Sequence, residues 1–182
     1  SGHFYKANKV KIGTGTTDCN SNRLRLEVAM DKEIRTGKKD KNVWVSYYIY
    51  IPDTKENFND KFLQPYITQF YGTDRGKTGQ NRGGYGPQYS ASIYNGKLTM
   101  DGATLVDKEN LKGKWHLIEF NILYSKKMNG YVRAYINGEL KVNRENFQTA
   151  KHSHAHVKYG TYMHPEYGGA GYPTASGYPE GY

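Results

Sequence analysis

Along most of this chain, apolar and polar positions alternate with a period of two. Leu24, Leu26, Val28 and Met30 alternate with Arg23, Arg25 and Glu27. Val43, Val45, Tyr47, Ile49 and Ile51 alternate with Trp44, Ser46, Tyr48 and Tyr50. Between Gln64 and Tyr71, Ile67, Gln69 and Tyr71 fall on one side and Tyr66, Thr68 and Phe70 on the other. Successive side chains of a strand point to opposite faces, so each stretch predicts a strand. Further strands are expected at Tyr89–Tyr94, Lys97–Met100, Trp115–Tyr124, Tyr131–Ile136, Glu139–Val142 and within Lys151–Met163. Asn95-Gly96, Asn129-Gly130 and Asn137-Gly138 are preferred hairpin dipeptides. No segment sustains a 3.6-residue apolar period, and only Asp107–Leu111 and Glu145–Ala150 are candidates for short helical turns. Many short strands punctuated by turns predict an all-β chain, a sandwich or barrel of antiparallel strands.

Two stretches depart from the alternation. Gly72–Gly86 is glycine-rich and basic, and reads as a mobile loop overhanging its neighbouring strands. Residues 165–182 are low in complexity, dominated by Gly, Tyr and Pro, and read as a C-terminal arm rather than part of a core. The expected organisation is one domain over residues 1–164 followed by this arm.

Composition adds a charge. Lys and Arg number 26 against 17 Asp and Glu, a net +9, which favours a polyanionic partner. Nucleic acid, an anionic membrane surface and an acidic polysaccharide share that sign. No apolar run is long enough to cross a bilayer, so a soluble protein is expected, and a membrane is not among the expected partners. The single Cys19 excludes an intramolecular disulfide, and the opening Ser1–Lys6 lacks the layout of a secretion leader. There are 18 Tyr against 6 Phe and 2 Trp. Tyrosine combines an apolar ring with a polar tip, suited to stacking on sugars or bases at a wet surface.

The most suggestive chemistry lies in the final strand. Alternation places His152, His154, His156, Lys158 and Tyr162 on one face, with Gly160 leaving a gap. Arg23, Arg25 and Glu27, and Gln69 and Tyr71, make similar polar faces on two other strands. Collected on one sheet, these faces would line a polar groove. Alternatively, they are the ordinary solvated side of an antiparallel sheet. Two histidines at i and i+2 can share a metal ion, but neither a third ligand nor a second shell is identifiable. The run is therefore read as a substrate-binding row or an exposed strand start, with His156 closest to the chemistry and no metal or cofactor called for. Arg82 and Tyr85 of the basic loop belong to a short Arg-Gly-Gly/Tyr-Gly tract of the kind that binds RNA. No recognisable nucleic-acid module accompanies it. A glycoside hydrolase would need a facing carboxylate pair. Asp31, Glu33, Asp53, Glu56 and Asp60 fall mostly in loops.

Four segments, in order, resemble the jelly-roll polysaccharide lyases, in particular the heparin-lyase-I-like and glucuronan-lyase-like group, with alginate lyases as more distant relatives. Arg25–Val28 (R-L-E-V) resembles the family's arginine–x–glutamate strand. Gln69–Tyr71 (Q-F-Y) falls where the family has glutamine, an aromatic or aliphatic residue, then histidine. Gly113–Phe120 (G-K-W-H-L-I-E-F) and Gly130–Gly138 (G-Y-V-R-A-Y-I-N-G) resemble its structural hairpin. Val157–Tyr162 (V-K-Y-G-T-Y) resembles its lysine–x–glycine–x–tyrosine strand. One departure stands out: Tyr71 occupies the place of a catalytic histidine.

The resemblance implies a two-sheet jelly roll with a concave groove, and β-elimination on a uronic-acid polysaccharide. The catalytic candidates are then Tyr162, Arg25, Gln69, Lys158, Tyr71 and His156. Arg25 and Gln69 would clamp the uronate carboxylate, and Lys158 would add positive charge. Tyr162 would serve as general acid, with Tyr71 or His156 as a second proton-transfer group. Substrate contacts are expected from Arg23, Glu27, His154, Arg133, Tyr135, Arg82 and Tyr85. An extracellular or virion-associated monomer acting on an acidic polysaccharide is the expected setting. A non-catalytic carbohydrate-binding sandwich and a nucleic-acid-binding β-domain remain the alternatives.

Overall fold

The computed structural model describes residues 24–29, 34–36, 39–53, 65–74 and 83–163, with backbone alone at 24–29, 73–74, 83–87 and 161–163. The described elements, in chain order, are β1 (Leu24–Ala29), β2 (Ile34–Arg35), β3 (Lys41–Tyr50), β4 (Tyr66–Asp74), β5 (Gly83–Tyr94) and β6 (Lys97–Met100). They continue with β7 (Ala103–Val106), the single-turn helix α1 (Lys108–Leu111), β8 (Trp115–Tyr124), β9 (Gly130–Ile136), β10 (Glu139–Phe147) and β11 (His154–Met163).

The strands form two antiparallel sheets. A seven-stranded sheet has the order β1-β11-β4-β5-β6-β7, with the short β2 also paired to β11. A four-stranded sheet has the order β10-β9-β8-β3. Their inner faces share one core. Phe70 of β4 meets Phe120 of β8 edge to face at 5.1 Å, and Tyr47 of β3 stacks on Tyr159 of β11 at 6.3 Å. Ile118, Phe120, Ile122, Ala134, Val157 and Ala91 are fully buried between the sheets. The alternation therefore has its usual cause: one side of each strand is withdrawn from water, the other is not.

Two hairpin dipeptides work as expected. Asn95-Gly96 and Asn137-Gly138 both have positive φ at both residues, the geometry a two-residue turn between twisted strands demands. Asp101-Gly102 makes a third such turn, joining β6 to β7, a strand the alternation did not reveal. Asn129-Gly130 differs. Gly130 is the first residue of β9, and a Cβ there would collide with Thr149 and the Phe147 carbonyl. Glycine is needed at that position for close packing rather than for the turn. Residues 145–147 belong to β10 and not to a helical turn, whereas 108–111 are helical as expected.

The expected loop over Gly72–Gly86 is shorter than its composition implied. Its ends pair as a ladder, Gly72 opposite Gly86 and Asp74 opposite Gly83, extending the β4–β5 hairpin. Glycine disfavours strands intrinsically, but backbone pairing needs no side chain and overrides that preference here. Residues 75–82, and the C-terminal arm, lie outside the described residues. Among the described residues, no helix is long and apolar enough to cross a membrane.

Candidate active site

The three polar-faced segments singled out from sequence are neighbours in one sheet, since β11 lies between β1 and β4. The inner side of β11 is set by Ala155 and Val157, both buried, and that of β4 by Thr68 and Phe70. Val157 lies opposite Phe70 and Tyr159 opposite Thr68. His154, His156 and Lys158 on β11, and Gln69 and Tyr71 on β4, therefore share the outer face.

Cross-strand register makes contacts of these positions. Lys158 is paired with Gln69, and His156 with Tyr71. The His156 and Tyr71 rings lie 5.3 Å apart, tilted by 39°. On the diagonal, Lys158 Nζ sits 4.5 Å from the centre of the Tyr71 ring, within the range of cation–π attraction. Gln69 is only 5% exposed, so its amide acts in a partly desolvated setting. His154 Nδ1 lies 2.9 Å from Ser153 Oγ. Ser90 of β5 pairs with Gln69 and carries the polar row one strand further. Sequence reasoning passed over this serine because its type is common on any strand; only the pairing draws it in.

On the other side of β11 the register places Arg25 opposite Tyr162, Glu27 opposite Gly160 and Ala29 opposite Lys158. Tyr162 is in turn paired with Tyr66 of β4. Against β1 the register is regular throughout, whereas against β4 it shifts between Tyr159 and Tyr162. Gly160 lies within that bulge with φ of 134°, a conformation open to glycine and strained for any other residue. The gap read from sequence at Gly160 is thus a bulge, and it sets the offset between Lys158 and Tyr162 along the strand.

Beneath the row, the Tyr47 hydroxyl is hydrogen-bonded to Thr68, and burial pushes this phenol up, keeping it neutral. Asp101, at the turn after β6, accepts a 3.3 Å hydrogen bond from the Ser90 N–H. Burial raises its carboxyl above the ordinary carboxylate range, against the opposing pull of that bond and of Arg144.

Several expected residues fall elsewhere. His152 precedes β11 rather than heading its row. Its carbonyl accepts a 2.7 Å hydrogen bond from Thr36, and its ring occupies the space a side chain at Gly72 would need. Arg133 and Tyr135 belong to β9 of the four-stranded sheet, alternating with buried Val132, Ala134 and Ile136. They face outward on the opposite side of the sandwich and do not join this row. Arg133 is engaged there by Glu145 and by Asn143 at 3.0 Å. His116 is buried, its Nε2 lying 3.2 Å from the Leu111 carbonyl, a structural role. Arg23 and Arg82 lie outside the described residues, and of Glu27 and Tyr85 the backbone alone is described, in β1 and β5.

The described side chains of β4, β5 and β11 include no carboxylate. Among the described residues, no group of three or more His, Cys, Asp or Glu is placed to hold a metal ion. What the row offers chemically is a cation, an amide, imidazoles and phenols: groups that bind an anion and move protons.

Comparison with known proteins adds the family. The fold is similar to that of an endo-β-1,4-glucuronan lyase from the fungus Trichoderma reesei, with a TM-score of 0.61 at 15% identity. That alignment covers 85% of this chain and 68% of the fungal one. An alginate lyase from Pseudomonas aeruginosa aligns with a TM-score of 0.49 at 17% identity, over 92% of this chain and 73% of its own. The likeness to the fungal lyase shows the fold, a jelly-roll sandwich. A search of curated proteins by sequence finds no match. A family model described as polysaccharide lyase, however, matches residues 4–180, nearly the entire chain, and the chain belongs to that family.

Proposed function

We propose that this protein cleaves an anionic, uronic-acid-containing polysaccharide of the glucuronan, alginate or glycosaminoglycan type by β-elimination across C4–C5. The observation that carries this reading is the register of three adjacent strands, which gathers Arg25, Gln69, Tyr71, His156, Lys158 and Tyr162.

In β-elimination the C5 proton, next to the uronate carboxylate, is removed as the bond from C4 to the glycosidic oxygen breaks. The C5 proton is weakly acidic, so charge developing on the carboxylate has to be stabilised by positioned donors and cations. Arg25 and Gln69 fill that role, the guanidinium through its fork of donors. Lys158, held over Tyr71, adds charge beside Gln69. Tyr162 donates a proton to the leaving oxygen, and in a syn elimination it also takes the C5 proton. In an anti elimination His156 or Tyr71 is the base. Removal in this way leaves a C4=C5 double bond in the product, with no water consumed. The enzyme acts as a monomer outside the cell or on a virus particle.

The test is to incubate the protein with glucuronan, alginate, heparin and a neutral glucan and to follow the ultraviolet absorbance of the new double bond. A rise on at least one uronan and none on the glucan is expected. Binding to a uronan with no rise on any would instead make the chain a non-catalytic binding module that kept the groove. Tyr71→His then asks whether the family's usual histidine still fits: a faster rate means that the pocket retains the geometry for that base.

A further inference from the structure

The outer face of the four-stranded sheet is unlike an ordinary solvated surface. Trp44 (58% exposed), Tyr48 (64%) and Tyr50 (42%) stand on the outer side of β3, and Trp115 (58%) beside them on β8. They are ordered against one another: Trp44 stacks on Tyr135 at 5.9 Å, and Tyr50 packs on Trp115 at 5.3 Å. Trp44 and Tyr50 are six residues apart on one strand, which sets a platform on the order of 20 Å long. Single exposed aromatics need no explanation, but a row of them on one flat face does.

Between and beside the rings the face is polar. In register across the sheet, Trp44 is followed by Asn121, Arg133 and Asn143, and Ser46 by Glu119, Tyr135 and Leu140. Asn121 is buried, and its Nδ2 donates to the Val43 carbonyl at 3.3 Å. Arg133 is neutralised by Glu145, and Lys141 by Glu139 at 2.7 Å. With Glu119 also on this face, Arg133 and Lys141 stand against three carboxylates, so the face carries no excess of positive charge although the chain as a whole carries +9.

We propose that this face is a second, non-catalytic glycan-binding surface that takes a linear neutral polysaccharide along β3. The charge balance selects the partner: a polyuronate, a nucleic acid or an anionic bilayer would find no excess positive charge here. A neutral pyranose chain offers the complement, apolar C–H faces for the rings and hydroxyls for Asn143, Glu119 and the tyrosine tips. A second copy of the chain fits less well. Interfaces between proteins concentrate apolar groups at the centre and exclude charge from it, whereas here Glu119, Asn121 and Arg133 occupy the middle strands. The proposal goes beyond the cleavage reading and does not depend on it. It would hold such an enzyme on a composite matrix while the opposite sheet works on the acidic chain.

Affinity electrophoresis of the full chain in gels containing a soluble β-1,4-glucan, a xylan or a mannan tests it. Retardation by at least one is expected, insensitive to salt, and weakened at least tenfold in Trp44→Ala and in Trp115→Ala. Both variants should keep uronan turnover within about twofold of the parent, which also shows that they are folded. No retardation by any of the three glycans would overturn the proposal, as would retardation unchanged in both variants. Light scattering completes the test: a parent dimer that either substitution converts to monomer would assign the face to a second copy instead. If glucan binding is found and no uronan is cleaved, the cleavage reading fails and this one stands.

Discussion

The outer faces of the two sheets are built by one rule and carry different chemistry. Both consist of the residues left over when alternate positions are committed to a shared core. On the seven-stranded sheet those residues are Gln69, Tyr71, His154, His156 and Lys158, ionisable or hydrogen-bonding and partly covered. On the four-stranded sheet they are Trp44, Tyr48, Tyr50 and Trp115, exposed rings among compensated charges. The first face concentrates cation and proton carriers and suits an anion undergoing reaction. The second offers aromatic contact area without excess positive charge and suits adhesion. One sandwich thus supplies two surfaces whose partners differ in charge, and which can be altered one at a time.

The largest effect that separates them is chemical. Tyr162→Phe removes the proposed general acid and should lower turnover on a uronan by about 10²–10⁴-fold. Uronan binding, measured by gel retardation, should stay close to the parent's, as should binding of neutral glycan. Turnover left intact in this variant would remove Tyr162 from the mechanism and shift the burden to Tyr71 and His156.

A core substitution tests how far the two faces share support. Phe120 belongs to the four-stranded sheet but packs edge to face on Phe70, directly under the candidate row. It is completely buried, so Phe120→Ala should cost about 3–5 kcal/mol in denaturant unfolding. The comparison is sharpened by what happens below the melting temperature. If the cavity disturbs the row, uronan turnover falls while neutral-glycan binding persists; equal losses would mean that the faces are mechanically coupled.

Gly160 gives a smaller and more local effect. With φ of 134°, an alanine there is strained whatever space surrounds it. Gly160→Ala should cost about 1–3 kcal/mol and shift Tyr162 relative to Lys158, lowering turnover without touching the aromatic face. Thermal melting and the double-bond assay read the two consequences separately. A fully active, fully stable variant would mean that the bulge tolerates another conformation.

How much of this was legible in sequence follows from what alternation can carry. The stretches at 115–124 and 97–100 match β8 and β6 residue for residue, β8 because buried positions mostly alternate with more exposed ones and β6 because the Asn95-Gly96 turn marks its start. β7 was missed because Ala103–Val106 buries two successive residues, Leu105 and Val106, and so shows no alternation, and the ends of the β4–β5 hairpin because glycine carries no pattern. Polar faces on the strands now seen as β1, β4 and β11 could be read from the chain, but their adjacency could not. It depends on β11, the last of the described strands, inserting between β1 and β4, a long-range pairing that local pattern does not encode. The same limit explains Arg133 and Tyr135. Alternation gives them an outer face but cannot say which sheet, and they lie on the aromatic one. His152 shows the opposite failure: it fits the alternation of the row, yet it lies before the strand, its ring packed against Gly72.

The smallest effect concerns the charge balance on the aromatic face. Glu145 is held below the ordinary carboxylate range, first by its hydrogen bond from Arg133 and then by that guanidinium's charge. Arg133 is correspondingly raised, chiefly by the same hydrogen bond. A carboxyl whose folded value is lowered stabilises the fold above its unfolded value, about 4.3, and loses that contribution as pH falls through the folded value. Glu145→Gln should therefore lower the melting temperature slightly at neutral pH, with the difference from the parent shrinking as the pH drops below about 4. Exposure of the pair keeps the effect small and makes added salt reduce it further. The same substitution frees Arg133 from its carboxylate and takes one negative charge from the face, leaving Arg133 and Lys141 against Glu119 and Glu139. Through the freed Arg133, an added salt-sensitive mode of uronan binding should then appear, measured as stronger gel retardation of the Glu145→Gln/Tyr162→Phe double variant than of Tyr162→Phe alone, turnover being suppressed in both. If no such binding appears, compensation of charge is not what keeps the acidic chain off this sheet.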